Sequence, residues 1–417
     1  MSDSPLLSTP FVHRLDEDWV VYHPLADRLL ILNPTAKTVW DLLCRGYAAP
    51  EIAAAFAQHF GISVEQAERD VERVLAELTG DDAQDANEPD FWANLPDIVD
   101  SGAEPNRLAD CGIFRFGYKQ IRVRSAIAQL DESLFARFQH RAMGDEGSAD
   151  VLEDVLEIAR CASAHRLTFC GEVIAEVPTI SQMLSRLVEL LLSLEHPQRP
   201  LLAYCHSAAL SRAGRSLLMP GRSGAGKSTL TAFLVAHGFD YLGDDTIAIG
   251  EDEMALLPLP TRLSIKSGAW PVLEPLYPML PGLPTLHRYG RSIRYIDPAG
   301  NYHSLQAAAA PSAIVFPAYS ADEPTRLDRL QPPQTMIRLL GAHARLSSPA
   351  TEAKLARLIR FVEQTPAYEL TYSDLTDAMH AIEGLLANTT NGQSVSPLSS
   401  ASVSRCGPDC KDPLHMV

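Results

Sequence analysis

Eight consecutive residues, Gly221, Arg222, Ser223, Gly224, Ala225, Gly226, Lys227 and Ser228, make a complete GxxxxGK[ST] run, with Thr229 directly after it. Each part of that spacing has a physical reason. Glycines let the backbone turn tightly and aim N–H groups at phosphate oxygens, a lysine reaches the outer phosphates, and a serine hydroxyl ligates a divalent cation. The flanks agree. Ser216–Met219 reads as a short strand, and Thr229, Leu230, Phe233, Leu234 and Val235 read as a helix whose N-terminal dipole favours an anion. The run predicts a nucleotide phosphate site for ATP with Mg²⁺.

Seventeen residues after Lys227, Asp244 and Asp245 stand side by side in Tyr241–Ile249, between two β-like segments. One carboxylate of such a pair can hold Mg²⁺ together with Ser228 while the other accepts the proton of an attacking hydroxyl. The sequence leaves open which does which. Fifteen residues before Gly221 lies His206, in Tyr204-Cys-His-Ser, where apolar neighbours equally suit a structural histidine. Arg262, Lys266, Arg288, Arg291 and Arg294 are cations able to neutralise a phosphoryl group in transfer, or else a solvated face. Between Glu195 and Asp240 there is no carboxylate, whereas Arg199, Arg212, Arg215, Arg222 and Lys227 all fall there, a basic island that would draw an anion. Cys406, Cys410 and His415 are too few ligands for a zinc site.

Several elements must position these groups. Trp19–Tyr22 and Leu29–Leu32 are strand-like apolar runs separated by a turn, which suggests a hairpin. Asn33-Pro34 then opens a helix with Val39, Trp40 and Leu43 buried, Pro50 a second with Ile52, Ala55, Phe56 and Phe60 on one face, and Ser63/Gln66 caps a third carrying Val64, Ala67, Val71, Val74 and Leu78. Residues 81–111 hold many carboxylates and no periodicity, and read as an acidic linker. From Arg115 onward strands and helices alternate, and Ile180, Met183, Leu184, Leu187, Val188 and Leu191 mark an amphipathic helix ahead of the glycine run. Residues 387–417, polar and poor in large apolar groups, read as a disordered tail.

The whole chain has 417 residues, 46% apolar and 21% charged, enough hydrophobic material for two domains with real cores. Its net charge of −17 argues against broad nucleic-acid binding, and residues 1–110 supply most of it with 21 acidic against 7 basic side chains. Seven scattered cysteines and the absence of a signal-like N-terminus suggest reduced thiols and a cytoplasmic protein, and no apolar run is long enough for a bilayer. A homo-oligomer is compatible with all of this.

Two resemblances follow from these residues. Cys-His206-Ser, the glycine run with Lys227-Ser228, the helix ending His237-Gly238-Phe239 and the Asp244-Asp245 pair occur in the order found in the HPr kinase/phosphorylase-related kinases. The likeness extends over about residues 112–386, taking in Pro260–Lys266, Val315–Tyr319 and Tyr368–Tyr372. It implies an α/β P-loop kinase domain (HPr kinase/PEP carboxykinase-like) that phosphorylates a serine or threonine, with His206, Asp244, Asp245 and Lys227 at its active site. The arginine-bearing signature and downstream metal-binding glutamate of true HPr kinase/phosphorylases have no match here, so HPr itself and phosphorylase activity are not implied. Residues 9–80, through Asp27–Asn33, Val39-Trp40 and the helix pair to Leu78, resemble a PqqD-type peptide-recognition domain, small, α+β and winged-helix-like, which implies a precursor or leader peptide as partner. Together they predict a kinase for a ribosomally synthesised precursor peptide. A kinase for another protein or a small hydroxylated metabolite, and a non-catalytic ATP-binding scaffold, are the alternatives.

Overall fold

The computed structural model of the chain describes residues 10–23, 28–79, 108–127, 135–143, 154–161, 164–222, 224–288, 291–297 and 309–388. Most of the acidic linker, Ser223, the tail beyond Asn388 and its Cys406, Cys410 and His415 lie outside them.

The chain starts with three antiparallel strands, β1 (Phe11–Leu15), β2 (Asp18–His23) and β3 (Arg28–Leu32), in that spatial order. Apolar runs in the sequence mark only the last two; in β1 the polar His13 and Arg14 interrupt the run. Three helices follow. Asn33 caps α1 (Pro34–Cys44) by accepting the Ala36 N–H at 2.8 Å, Gly61 closes α2 (Ala49–Phe60) in a left-handed conformation, and the Ser63 hydroxyl accepts the Gln66 N–H at the head of α3 (Val64–Thr79). Val39, Trp40, Ile52, Phe56, Ala67 and Val71 are buried as their spacing requires. Ala55, Phe60 and Val64 are not. The buried stripe of α2 is Ile52, Ala53, Phe56 and Ala57, an i, i+1, i+4, i+5 band that turns Ala55 and Phe60 to solvent.

A second sheet holds six strands among the described residues: β4 (Ala109–Phe116), β5 (Lys119–Ser125), β6 (Ala142–Met143), β7 (Asp154–Cys161), β8 (Ala164–Phe169) and β9 (Glu172–Val177), ordered β6-β4-β5-β7-β8-β9. β4 begins at Ala109, inside the range read as linker. A 3₁₀ turn, Phe135–Arg141, precedes β6, and α4 (Ile180–Glu195) lays Met183, Leu184, Leu187, Val188 and Leu191 on the sheet.

The third sheet is larger and mixed. β10 (Leu201–Arg212) and β11 (Arg215–Pro220) form a hairpin, α5 (Lys227–Ala236) leads to β12 (Asp240–Gly250), and β13 (Leu256–Pro258) pairs with it. β14 (Leu263–Lys266), α6 (Trp270–Leu273), β15 (Leu286–Arg288) and β16 (Arg291–Ile296) make a small sheet of their own, ordered β14-β16-β15. The chain returns through β17 (Ala313–Tyr319), β18 (Arg326–Leu330), α7 (Pro332–Gly341), β19 (Arg345–Leu346), α8 (Glu352–Gln364), β20 (Ala367–Tyr372) and α9 (Leu375–Asn388). The main order is β13-β12-β10-β11-β17-β20-β18 with β19 beside β10; β11, β17 and β20 run parallel. Helices cover both faces, as a sheet with a parallel centre requires: α5 and α9 bury Leu210, Leu217 and Met219 on one side, α7 and α8 bury Leu202 and Leu218 on the other.

The N-terminal sheet joins that second core. Leu15, Val20, Tyr22 and Leu29 cluster with Met336 and Leu339 of α7 and Leu355, Leu358 and Ile359 of α8, while Val21, Leu30 and Leu32 face Trp40 of α1. Among the described residues no helix is long and apolar enough to cross a membrane.

Candidate functional site

The glycine-rich loop Gly221–Ser228 joins β11 to α5, the strand and helix its flanks foretell. Gly224 and Gly226 sit at φ 98° and 85°, where an L side chain is strained. Gly226 has a second constraint, since a Cβ there would meet the Tyr372 hydroxyl at 2.3 Å. That hydroxyl donates to the Gly226 carbonyl at 3.2 Å, and the Tyr319 N–H donates to the Ala225 carbonyl at 3.2 Å, so the ends of β20 and β17 hold the loop from below. Arg222 is exposed and lies against Gly341 at the end of α7. Ser228 and Thr229 occupy the first turn of α5, whose leading N–H groups lack intrahelical partners.

Lys227 is buried, and its ammonium donates to Asp244 Oδ1 at 2.5 Å. The two acids lie inside the continuous strand β12 rather than between two segments, with Ala208 opposite Asp244 and Ser207 opposite Asp245 on β10. Carboxylates tolerate the middle of a buried strand only if each finds a cation, and here each does. Consecutive side chains of a regular strand point to opposite faces. Asp245 sits at φ 144°, a value that L residues rarely adopt and that costs on the order of 1–3 kcal/mol. Its carboxylate pairs with Arg137 and lies 3.2 Å from His206 Nδ1. The same nitrogen is 2.8 Å from the Asp245 carbonyl oxygen. Both neighbours are acceptors, so Nδ1 carries a hydrogen and the ring is oriented by Asp245.

Electrostatics follow from burial. Desolvation pushes the Asp245 carboxyl up, but the Arg137 guanidinium and then His206 outweigh it and hold the group well below the ordinary carboxylate range. Burial, reinforced by the Asp244 charge, drives the Tyr241 hydroxyl far above its usual value; it stays protonated and donates to the Thr261 carbonyl at 2.9 Å, while the Thr261 hydroxyl donates to the Asp244 carbonyl at 2.7 Å.

The cation candidates divide. Burial, followed by the charges of Arg291 and Lys227, lowers Lys266 to about 8, which places it in the field of the loop lysine. Lys266 pairs with Ile293 across β14 and β16, two residues from Arg291 on the same face. Arg262 is tied to Asp297 at 2.5 Å, and Arg294 stacks on Trp270 at 3.9 Å on the opposite face. The side chain of Arg288 lies outside the described residues. The basic island also disperses: Arg199 and Arg212 meet Glu253 and Glu383, and Arg215 donates to the Leu386 carbonyl, leaving Arg222 and Lys227 at the loop. Carboxylates distant in sequence answer cations that have none nearby.

Arg137 had no signal in the sequence. It lies 108 residues before its partner Asp245, in the 3₁₀ turn of the six-stranded unit, where Phe-Ala-Arg-Phe reads as an ordinary amphipathic stretch. Among the described residues no group of three or more His, Cys, Asp or Glu side chains forms a metal cage. A Mg²⁺ ion bound to nucleotide needs only one or two protein oxygens besides phosphate and water. Ser228 and Asp244 are donors of that hard kind, and Lys227 engages one Asp244 oxygen.

A second concavity lies in the N-terminal module. A cavity of about 580 Å³ opens between the β3 edge, α1 and α3, with Ile31, Val39, Phe56, Phe60, Val71 and Val74 among its walls. Phe60, 52% exposed, stands at this apolar groove. No curated protein matches the chain. Residues 18–82, the part that holds the groove, match the family described as coenzyme PQQ synthesis protein D (PqqD), so the N-terminal module is a PqqD-like domain followed by a mixed α/β portion.

Proposed function

We propose that the chain is an ATP- and Mg²⁺-dependent kinase that phosphorylates a serine or threonine of a ribosomally synthesised precursor peptide, captured by the PqqD-like domain. The observation that carries this reading is the presence, in one chain whose N-terminal sheet packs on the larger core, of a PqqD-like groove and a GxxxxGKS loop whose lysine faces an acid pair. The precursor lies as an added strand between the β3 edge and α3, where backbone pairing gives affinity and the groove takes alternate side chains. Capture raises the local concentration of the acceptor hydroxyl, so a modest pocket suffices for selectivity.

At the loop, N–H groups and Lys227 bind the phosphates, Lys227 exchanging Asp244 for the ligand. When bound, Mg²⁺ neutralises charge on the outer phosphates, and Ser228 and Asp244 are the residues that would hold it. Asp245, kept ionised by Arg137, orients His206 through Nδ1, and His206 accepts the hydroxyl proton on Nε2 as the acceptor oxygen attacks the γ-phosphorus of ATP and the bond to the β,γ-bridging oxygen breaks, releasing ADP. Lys266 and Arg291 add positive potential where negative charge spreads in the transition state.

Incubation of the chain with ATP and candidate precursors, read by mass spectrometry, tests the proposal. Lys227→Ala lowers phosphate transfer by at least about a hundredfold. Phe60→Asp spares ATP turnover and weakens transfer to the peptide; unchanged peptide phosphorylation would remove the delivery role. Transfer to a small hydroxylated acceptor alone would make the chain a metabolite kinase, and ATP binding with no transfer to any acceptor would make it a scaffold.

A further inference from the structure

The parallel strands β11, β17 and β20 finish at one edge of the large sheet, and each delivers something there. The glycine-rich loop follows β11, Tyr319 closes β17, and Tyr372, its partner in register, closes β20. The loop runs along the end of β17. A Cβ at Gly221 would lie 3.8 Å from the Pro317 ring, and one at Gly226 would lie 3.0 Å from the Tyr319 Cβ. Tyr319 is thus fixed beside the loop by its N–H bond to Ala225 and by an edge-on contact with Tyr372, ring centroids 5.7 Å apart at 67°.

The two tyrosines differ in exposure. Tyr372 is buried, with its hydroxyl on the Gly226 carbonyl, whereas Tyr319 keeps 56% of its surface open to solvent. A lone exposed tyrosine is ordinary. This one is held at two points, by its backbone N–H and by Tyr372, next to a phosphate loop at the carboxyl ends of parallel strands, where open α/β sheets take their ligands. An aromatic face so placed suits the π-face of a base, and such stacking is tolerant of base identity because every base has that face.

We propose that Tyr319 is the stacking platform for the nucleobase of the nucleotide whose phosphates the Gly221–Ser228 loop holds. This rests on the nucleotide reading given under Proposed function and adds a specificity residue to it. The site then prefers nucleoside triphosphates to bare polyphosphate and discriminates weakly between adenine and guanine.

Calorimetric binding of ATP, GTP and inorganic tripolyphosphate to the full chain and its variants separates the possibilities. Tyr319→Ala weakens ATP and GTP by about tenfold and leaves tripolyphosphate unchanged, and Tyr319→Trp restores both nucleotides. Lys227→Ala weakens all three ligands. Loss of nucleotide and tripolyphosphate affinity together in Tyr319→Ala would make the residue a buttress of the loop and overturn the base contact. Unchanged nucleotide affinity in that variant, with Lys227→Ala still weakening all three, would overturn the inference and leave the phosphate site standing. Failure of the unaltered chain to bind any of the three would remove the nucleotide reading and this inference with it.

Discussion

Lys266 and Asp245 show how one buried site treats opposite charges differently. Asp245 has Arg137 and His206 to offset its burial, whereas at Lys266 burial and the charges of Arg291 and Lys227 outweigh the pull of Asp244, and its ammonium falls to about 8. An unfolded lysine titrates near ~10.4, so between these values the folded chain binds fewer protons than the unfolded one and the penalty for Lys266 fades as pH rises. An anionic ligand has the reverse preference, because it favours the protonated form. ATP affinity should therefore fall several-fold from pH 7 to pH 9.5, and Lys266→Met should be weak and nearly flat over the same range. Parallel pH profiles for the two proteins, measured by calorimetry, would refute that role. At this scale the sequence was informative wherever chemistry dictates spacing: Lys227, Ser228 and the acid pair could be singled out from residue types alone. Arg137 could not, because its role exists only once the 3₁₀ turn of one sheet is brought against a strand of another.

The loop is held by strand ends as much as by its own glycines. Gly226→Ala should abolish nucleotide binding while the chain stays folded, since the added Cβ meets the Tyr372 hydroxyl at 2.3 Å and the residue must also keep φ 85°. Tyr372→Phe in the same chain should recover little, because the backbone strain remains. Near-normal ATP binding by Gly226→Ala would show that the loop is more pliant than its contacts indicate. Strand–loop–helix order here was legible from local pattern, as were the capped helices α1 and α3. What was hidden arose from neighbours: β1, whose apolar run is broken by two polar residues, the exposed Ala55 and Phe60, and the uninterrupted β12, where cations from elsewhere make a tandem acid pair compatible with a buried strand.

At the scale of the molecule, the acidic stretch after residue 80 suggests two domains on a tether, yet the N-terminal sheet packs into the larger core through Leu15, Val20, Tyr22 and Leu29. Sequence spacing conveys which face of a strand is apolar and not what lies against it, so this contact was not readable in advance. Removing residues 1–80 should strip the cover from α7 and α8. At roughly 1.5–3 kcal/mol for each large apolar side chain buried, the loss is on the order of several kcal/mol, visible as a lower Tm and self-association. A truncated chain with an unchanged Tm would mean that the two parts are independent. The shared core also turns the molecule into a ruler. With groove and glycine-rich loop built on one body, a precursor held in the first can present only residues whose distance along its chain, about 3.3 Å per extended residue, spans the fixed gap to the second. On the proposed kinase reading, the choice of hydroxyl would then be set by counting along the substrate, and residues nearer the anchored segment would be passed over whatever their side chain.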